Sequence, residues 1–484
     1  MKRIVCAILF STCILPFFCA VTSCQKTADT GTMYEINAEY VPETSTVTGT
    51  VKLEYENTTD NELSVLKFNL FANAYREDAV FRPVSTAYVS TAYYNGKNYG
   101  GMEISSVNGA KSWDITGEDC NILSVTLEES VFPGEKVVLD VGFLTKLAKV
   151  NHRTGVTKHT VNLGNFFPIL CAYGENGFYE CVYYSDGDPF VSECADYLVK
   201  LTVPKEYEVA SSGKITAERA LESKKEYTMS QSNARDFAIV LSDSFQIEEC
   251  VSHGVEIKYY HYDDAAPAAH LALLRESLEY FSDTFGAYPY DTFSAVQTGF
   301  CYAGMEYPAL VMISDSLEES EAAYTIVHET AHQWWYAAVG SNQMENAWQD
   351  EGLAEYSSLL FFEEHTGYGI DGRTLVNTAL KEYRSYYDVY SHVFGETDTR
   401  MTRHLKDYLS DYEYRCIAYD KGLLMFDALR ESIGDKHFLD GLKNYYKAQK
   451  FRLATPADMV GAFEKTGVDV AGFFESFLLG KAIL

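Results

Sequence analysis

The sequence predicts a multidomain chain, with an antiparallel β domain of sandwich or saddle type over residues 34–245 and an α/β (α+β) domain over 246–484 that ends in helices. Three observations predict it. Apolar and polar residues alternate through much of the first part, the period of a half-buried strand. Past residue 246 the apolar spacing widens to three and four, the period of a helix face. The length, 484 residues, supplies material for more than one core.

The strands come first. Val47, Gly49, Val51, Leu53 and Tyr55 alternate with Thr48, Thr50, Lys52 and Glu54. Leu66, Phe68 and Leu70 repeat the pattern, as do Val137, Leu139, Val141 and Phe143, and then Tyr197, Val199, Leu201 and Val203 ahead of Pro204. Turn signals separate them at Asn108-Gly109, Pro133-Gly134, Asp186-Gly187-Asp188-Pro189 and Ser211-Ser212-Gly213. The helical part opens with Leu271, Leu274, Leu278, Phe281 and Phe285 on one face, and Gly286 stands at the expected C-terminal cap. A strand from Leu310 to Ile313 precedes a helix expected from near Ser320 to Gly340. A further helix is expected from about Glu345 to His365, and Leu439, Leu442 and Tyr446 continue the helical spacing.

Composition narrows the function. The net charge of −30 argues against nucleic acid as a partner, because phosphate binding needs clustered Lys and Arg. Lys2 and Arg3 followed by a mostly apolar run over residues 4–21 form a secretory signal. Its end, Val21-Thr22-Ser23-Cys24, resembles a bacterial lipoprotein cleavage box. Residues 1–23 are then a signal peptide, Cys24 the lipidated first residue, and 24–33 a polar tether. The expected location is extracytoplasmic, anchored to a bacterial membrane. Seven cysteines follow Cys24, scattered and without CxxC spacing, so neither a disulfide framework nor a thiolate metal site is expected.

The chemistry lies in Val327-His328-Glu329-Thr330-Ala331-His332. Two histidines at i and i+4 project from one helix face, a spacing that lets both imidazoles reach one zinc ion. Glu329, beside the first, is placed to reach a water and not the metal. Glu351 follows His332 after eighteen residues, an interval that fits a helix end, a loop and a new helix turning back. Two neutral histidines and one carboxylate leave a fourth position open, the pattern of a catalytic zinc.

Here the sequence resembles the gluzincin aminopeptidases of the aminopeptidase N type. The His-Glu-Thr-Ala-His run and Asp350-Glu351-Gly352 carry the resemblance. Gly304-Met305-Glu306-Tyr307-Pro308 is similar to the family's Gly-x-Met-Glu-Asn motif, and Tyr419-Asp420-Lys421-Gly422 to its Tyr-x-Lys-Gly motif. Gly187-Asp188-Pro189-Phe190, Ala195-Asp196-Tyr197 and Thr202-Val203-Pro204 resemble its β domain more weakly. The resemblance implies a thermolysin-like catalytic domain without the large carboxy-terminal helical domain of longer relatives. It implies one zinc per chain on His328, His332 and Glu351, with Glu329 as general base towards the attacking water. Tyr419 would donate to the developing oxyanion. Glu306 would hold the α-ammonium of a peptide with a free N-terminus, beside the backbone of Gly304 and Met305. Tyr307 departs from the family's Asn, which leaves an endopeptidase of the same fold open, and a lipid-anchored peptide-binding protein without turnover is the rival from another class.

Several residues are read more modestly. His152 and His159 are expected to be solvated, and Asp186 and Asp188 to serve a turn. Tyr383, Tyr386, Tyr387 and Tyr390 either line a cleft or pack a helix. Glu355 is a candidate partner for a zinc-binding histidine.

Overall fold

The computed structural model describes residues 31–484. The signal segment, the lipoprotein box and Cys24 lie outside the described residues.

The first strand, Met33–Val41, starts at what was expected to be the last tether residue. It lies inside a seven-stranded sheet whose neighbours run, in order, Lys214–Ala220, Lys224–Ala234, Ala195–Pro204, Met33–Val41, Thr46–Glu56, Lys136–Lys146 and Gly101–Asn108. Ala195–Pro204 alternates buried and half-buried positions without a break, as a one-sided strand must. One pairing departs from the antiparallel expectation. Met33–Val41 runs parallel to Ala195–Pro204, with Met33 opposite Asp196. Parallel neighbours need a long crossover, and here the chain builds one four-stranded sheet and two strands of another between them. Alternation reports which face a residue takes and carries no information on strand direction.

Sheet membership changes at Gln246–Ser252. This strand begins a five-stranded sheet in the order Gln246–Ser252, Val255–His261, Thr292–Thr298, Leu310–Ser314 and Gly304–Met305. The three inner strands are parallel and the two edges antiparallel. Thr292–Thr298 and Leu310–Ser314 are buried at every position, because helices cover the sheet that strands like these build. The helix Pro267–Phe285 connects the second and third strands. It starts on a proline, and Gly286 ends it at φ 135°, the expected cap position.

The next two helices differ from expectation in ways that shape the site. Glu319–Ala331 opens with a capping box between Glu318 and Glu321 and does not run on to Gly340. After His332 the chain makes a wide turn over Gln333–Ala338, in which Trp335 and Tyr336 leave helical dihedrals and Tyr336 reaches φ 156°. The two adjacent indoles take separate partners at the break. Trp334 donates to the Gly286 carbonyl at 2.8 Å, while Trp335 donates to Ser357 Oγ at 2.9 Å. The stretch from Glu345 is likewise interrupted, by Ala347–Gln349, before the helix Glu351–Glu364 begins. Asp350 caps that helix, its Oδ1 accepting from the Glu351 N–H at 2.7 Å.

Glu351–Glu364 crosses the helix Lys421–Ile433 at Gly352 and Gly422. A Cβ on Gly352 would lie 2.9 Å from the Gly422 Cα, so only glycine lets these backbones meet. Among the described residues no helix is long and apolar enough to cross a membrane, and the seven cysteines are unpaired.

Candidate active site

The helix Glu319–Ala331 carries His328 and Glu329 in its last turn, and His332 caps it. Glu351 arrives as the first residue of the next long helix. The His328 and His332 Nε2 atoms stand 3.0 Å apart and face Glu351 Oε2 at 3.5 and 3.3 Å. All three side chains are buried, and one donor atom from each lies within 4.8 Å of the others.

The group tests well as a metal site. Glu351 Oε2 is buried without a hydrogen-bond partner, and the Nε2 atoms of the two imidazoles face each other beside it. The far side of each ring faces an oxygen. His332 Nδ1 donates to the Trp335 carbonyl at 3.0 Å, which leaves the Nε2 lone pair free for a metal. His328 Nδ1 faces Glu355 Oε1 at 3.3 Å, and the Tyr324 hydroxyl donates to the other oxygen of Glu355. Two imidazoles and a carboxylate converging on one point is a zinc donor set.

Around this centre stand further carboxylates. Glu329 lies against the edge strand Gly304–Met305, so closely that a Cβ on Gly304 would collide with its carboxylate. Glu306 follows on that strand. It is 4% exposed and its Oε1 has no partner. Its carboxylate falls within 4.8 Å of donor atoms of Glu329 and His332, and in a second grouping of Asp188 and Glu351. Tyr419 sits in the wide turn Cys416–Asp420, with its ring nearly parallel to His328 at a centroid distance of 6.1 Å.

Burial and mutual charge set the protonation of these groups. Burial pushes Glu329 up to about 7, against the pull of His328 and His332. Burial, then Asp188, holds Glu306 well above the usual carboxylate range. Burial opposes the imidazolium of His328, yet the carboxylates of Glu351 and Glu355 outweigh it and lift the ring to about 10. Burial also opposes the carboxylate of Glu351, and the two imidazoles nonetheless hold it well below its usual value. With protein groups alone, protons on the imidazoles take the part that a dication takes when bound. Tyr419, raised by burial and then by Glu351, stays a hydroxyl donor at neutral pH.

The peptidase family M1 domain matches residues 270–477, a stretch that holds every one of these side chains except Asp188. Residues 270–477 are a peptidase family M1 domain. Among curated proteins, aminopeptidase N of Lactococcus lactis subsp. lactis is 27% identical over 171 residues, 34% of this chain and 19% of that protein. Aminopeptidase N of Streptomyces lividans is 24% identical over 221 residues, 42% of this chain and 25% of that protein. The matched stretch thus spans a quarter or less of each of these relatives. Among solved structures, the M1 zinc metallopeptidase of Deinococcus radiodurans superposes with a TM-score of 0.63 at 18% identity, covering 94% of this chain and 95% of that one. A mutant of that protein bound to a Tyr-Ser-Ala substrate gives a TM-score of 0.62 at 19% identity, over 94% of this chain and 95% of that one. The fold resemblance therefore extends beyond the M1 domain through the β part.

The M1 domain does not close the pocket alone. Arg153 and Asp188 line it from the β part. Asp188, expected to serve only a turn, is 9% exposed and accepts from Arg153 Nη1. Arg153 lies over the Phe190 ring at 5.1 Å. The turn residues alone carried no signal as to which aspartate points inward. His152 is a second correction. It is buried, with Nδ1 2.6 Å from the Tyr75 hydroxyl and Nε2 3.1 Å from the Pro83 carbonyl, ringed by Tyr183, Phe300 and Tyr302. His159 is half-buried and stacks on Tyr262. Tyr383 and Tyr386 pack inside the helical part, where the Tyr386 hydroxyl lies 2.9 Å from both the Glu413 carboxylate and the Asp398 carbonyl. Tyr307 also turns away from the pocket, while Glu306 remains in its lining.

Proposed function

We propose that the protein is a zinc-dependent aminopeptidase that releases N-terminal residues from peptides. One observation carries the amino-end preference: the Glu306 carboxylate, buried, unpartnered at Oε1 and grouped with Asp188 beside the His328–His332–Glu351 set. A buried carboxylate without a cation is costly, and a substrate α-ammonium is the cation that fits a pocket open to solvent. Anchoring the ammonium there brings the first peptide bond to the metal donors.

Zinc on His328, His332 and Glu351 would polarise the scissile carbonyl and activate a water. Glu329 takes the proton of that water and passes it to the leaving amine, a task suited to a carboxylate lifted toward neutral pH. Tyr419 donates its hydroxyl to the oxygen on which charge develops. The names of the curated relatives, aminopeptidases N, support this reading.

The test compares an aminoacyl-arylamide with its N-acetylated form, with and without a zinc chelator. Strong preference for the free amine, lost on chelation, is the expected result. Equal cleavage of both sinks the aminopeptidase reading in favour of an endopeptidase. No hydrolysis of either, nor of a peptide library, by zinc-loaded protein leaves a peptide-binding protein.

We further propose that the chain works outside the cytoplasm, held at a bacterial membrane by acyl chains on Cys24. The basic start, the apolar run and Val21-Thr22-Ser23-Cys24 support it. Incorporation of a labelled fatty acid that persists in Cys24→Ser overturns it.

A further inference from the structure

Tyr307 is where the chain departs from its family's motif, and its surroundings are built to its shape. The residue is fully buried. Its hydroxyl donates to Asn165 Oδ1 at 2.6 Å, Asn165 Nδ2 donates to Asp236 Oδ2 at 2.5 Å, and Asp236 Oδ1 accepts the Phe237 N–H at 2.7 Å. Asn165 holds a left-handed backbone, φ 52°, which asparagine tolerates better than most residues. The preceding residue, Gly164, supplies the space: a Cβ there would run into the phenol of Tyr307. On the other side, the Tyr307 carbonyl accepts from Gln333 Nε2 at 3.2 Å, and Gln333 Oε1 accepts the Ala309 N–H at 2.8 Å. Gln333 directly follows His332. The residue next to Glu306 is thus tied to the β part through its side chain and, through its backbone, to the turn that follows the metal-site helix.

Glu306 has no partner of its own at Oε1, so its position is inherited from the backbone that carries it. We propose that Tyr307 is a positioning residue for Glu306, and that the Tyr307–Asn165–Asp236 chain makes recognition of the substrate ammonium depend on the β part. The inference rests on the aminopeptidase reading above. Core packing would need only the ring. The hydroxyl, the asparagine that receives it and the glycine that makes room for it are what a positioning role requires and packing does not.

The test uses the full-length, zinc-loaded protein and the free-amine and N-acetylated arylamides. Tyr307→Phe keeps the ring and removes the hydroxyl. Asn165→Gly tolerates the left-handed backbone and removes the receiving amide, which covers the case in which Tyr307→Phe fails to fold. Each is expected to raise KM for the free amine about tenfold, with kcat changed less, and to shrink the preference over the acetylated form. Combined with Glu306→Gln, Tyr307→Phe should add no further loss, since both act on one contact. Additive losses, or equal losses on both substrates, overturn the proposal. If the unaltered enzyme prefers the free amine and Tyr307→Phe keeps that preference, the proposal alone falls. If the unaltered enzyme shows no preference, the aminopeptidase reading falls first and takes the proposal with it.

Discussion

Glu329 and Glu306 are buried carboxylates beside the same donor set, yet their neighbours give them different tasks. Glu329 faces His328 and His332, which in the metal-free site work against the effect of its burial. Glu306 faces Asp188 and further carboxylates that add to the effect of burial, and it takes a proton or a cation. Glu329→Gln should therefore lower kcat by about 10²–10⁴-fold with zinc content per chain unchanged, as steady-state rates and metal analysis would read. Loss of zinc in that variant would make Glu329 a structural residue of the site and not its base. Tyr419→Phe should lower kcat by about 10²-fold and leave KM nearly untouched, because its hydroxyl serves the transition state more than the bound substrate. The histidine pair was legible because i, i+4 spacing is a local property of a helix. Asp188 was not, because its place beside Glu306 depends on how a loop of the β part folds over a distant strand.

At the scale of elements, period and caps were readable and continuity was not. The helix Pro267–Phe285 ends where its glycine predicted, whereas the helix bearing His328 stops at Ala331, ahead of two neighbouring tryptophans that bond to different elements. The carboxy-terminal helices meet on Lys421, whose role the motif alone did not reveal. It is fully buried, and its Nζ donates to the carbonyls of Thr399 at 2.7 Å and Phe477 at 3.4 Å. Burial, then the charge of Arg403, pushes Lys421 down to about 7 from 10.5. Between those values the unfolded chain keeps the proton that the folded one has released, so stability gains from this group as pH rises from about 7 towards 10.5. The gain is on the order of 1.4 kcal/mol per pH unit. Urea unfolding at pH 7 and pH 9 should show this slope in the natural chain and a shallower one in Lys421→Met. Parallel slopes would mean that the ammonium finds solvent or an anion in the folded state.

Across the whole molecule, alternation and helical spacing revealed two kinds of architecture in the right order, but the contacts that join them are long-range and leave no local pattern. Arg235 shows why. In sequence it is an unremarked residue after the strand Lys224–Ala234; in the fold it is 1% exposed and reaches into the turn behind the metal donors. Its Nε donates to the Tyr336 carbonyl and its Nη1 to that of Ser192, both at 2.7 Å, and its Nη2 to that of Arg452 at 3.2 Å. Gly340 is glycine because a Cβ there would strike this guanidinium. Tyr336, at φ 156°, is strained and needs holding, and the adjacent Trp335 carbonyl sets the orientation of His332. Arg235→Met should thus do two things at once. It strands buried carbonyls, at a cost of about 1–3 kcal/mol each, which urea unfolding would register. It also loosens the acceptor of His332 Nδ1, and zinc affinity by chelator competition should fall about 10-fold or more. Arg235→Lys should recover little of either, since an ammonium lacks the planar fork that spans several carbonyls. A destabilised variant with unaltered zinc affinity would confine Arg235 to joining the two parts, and the metal site would then owe its geometry to the M1 domain alone.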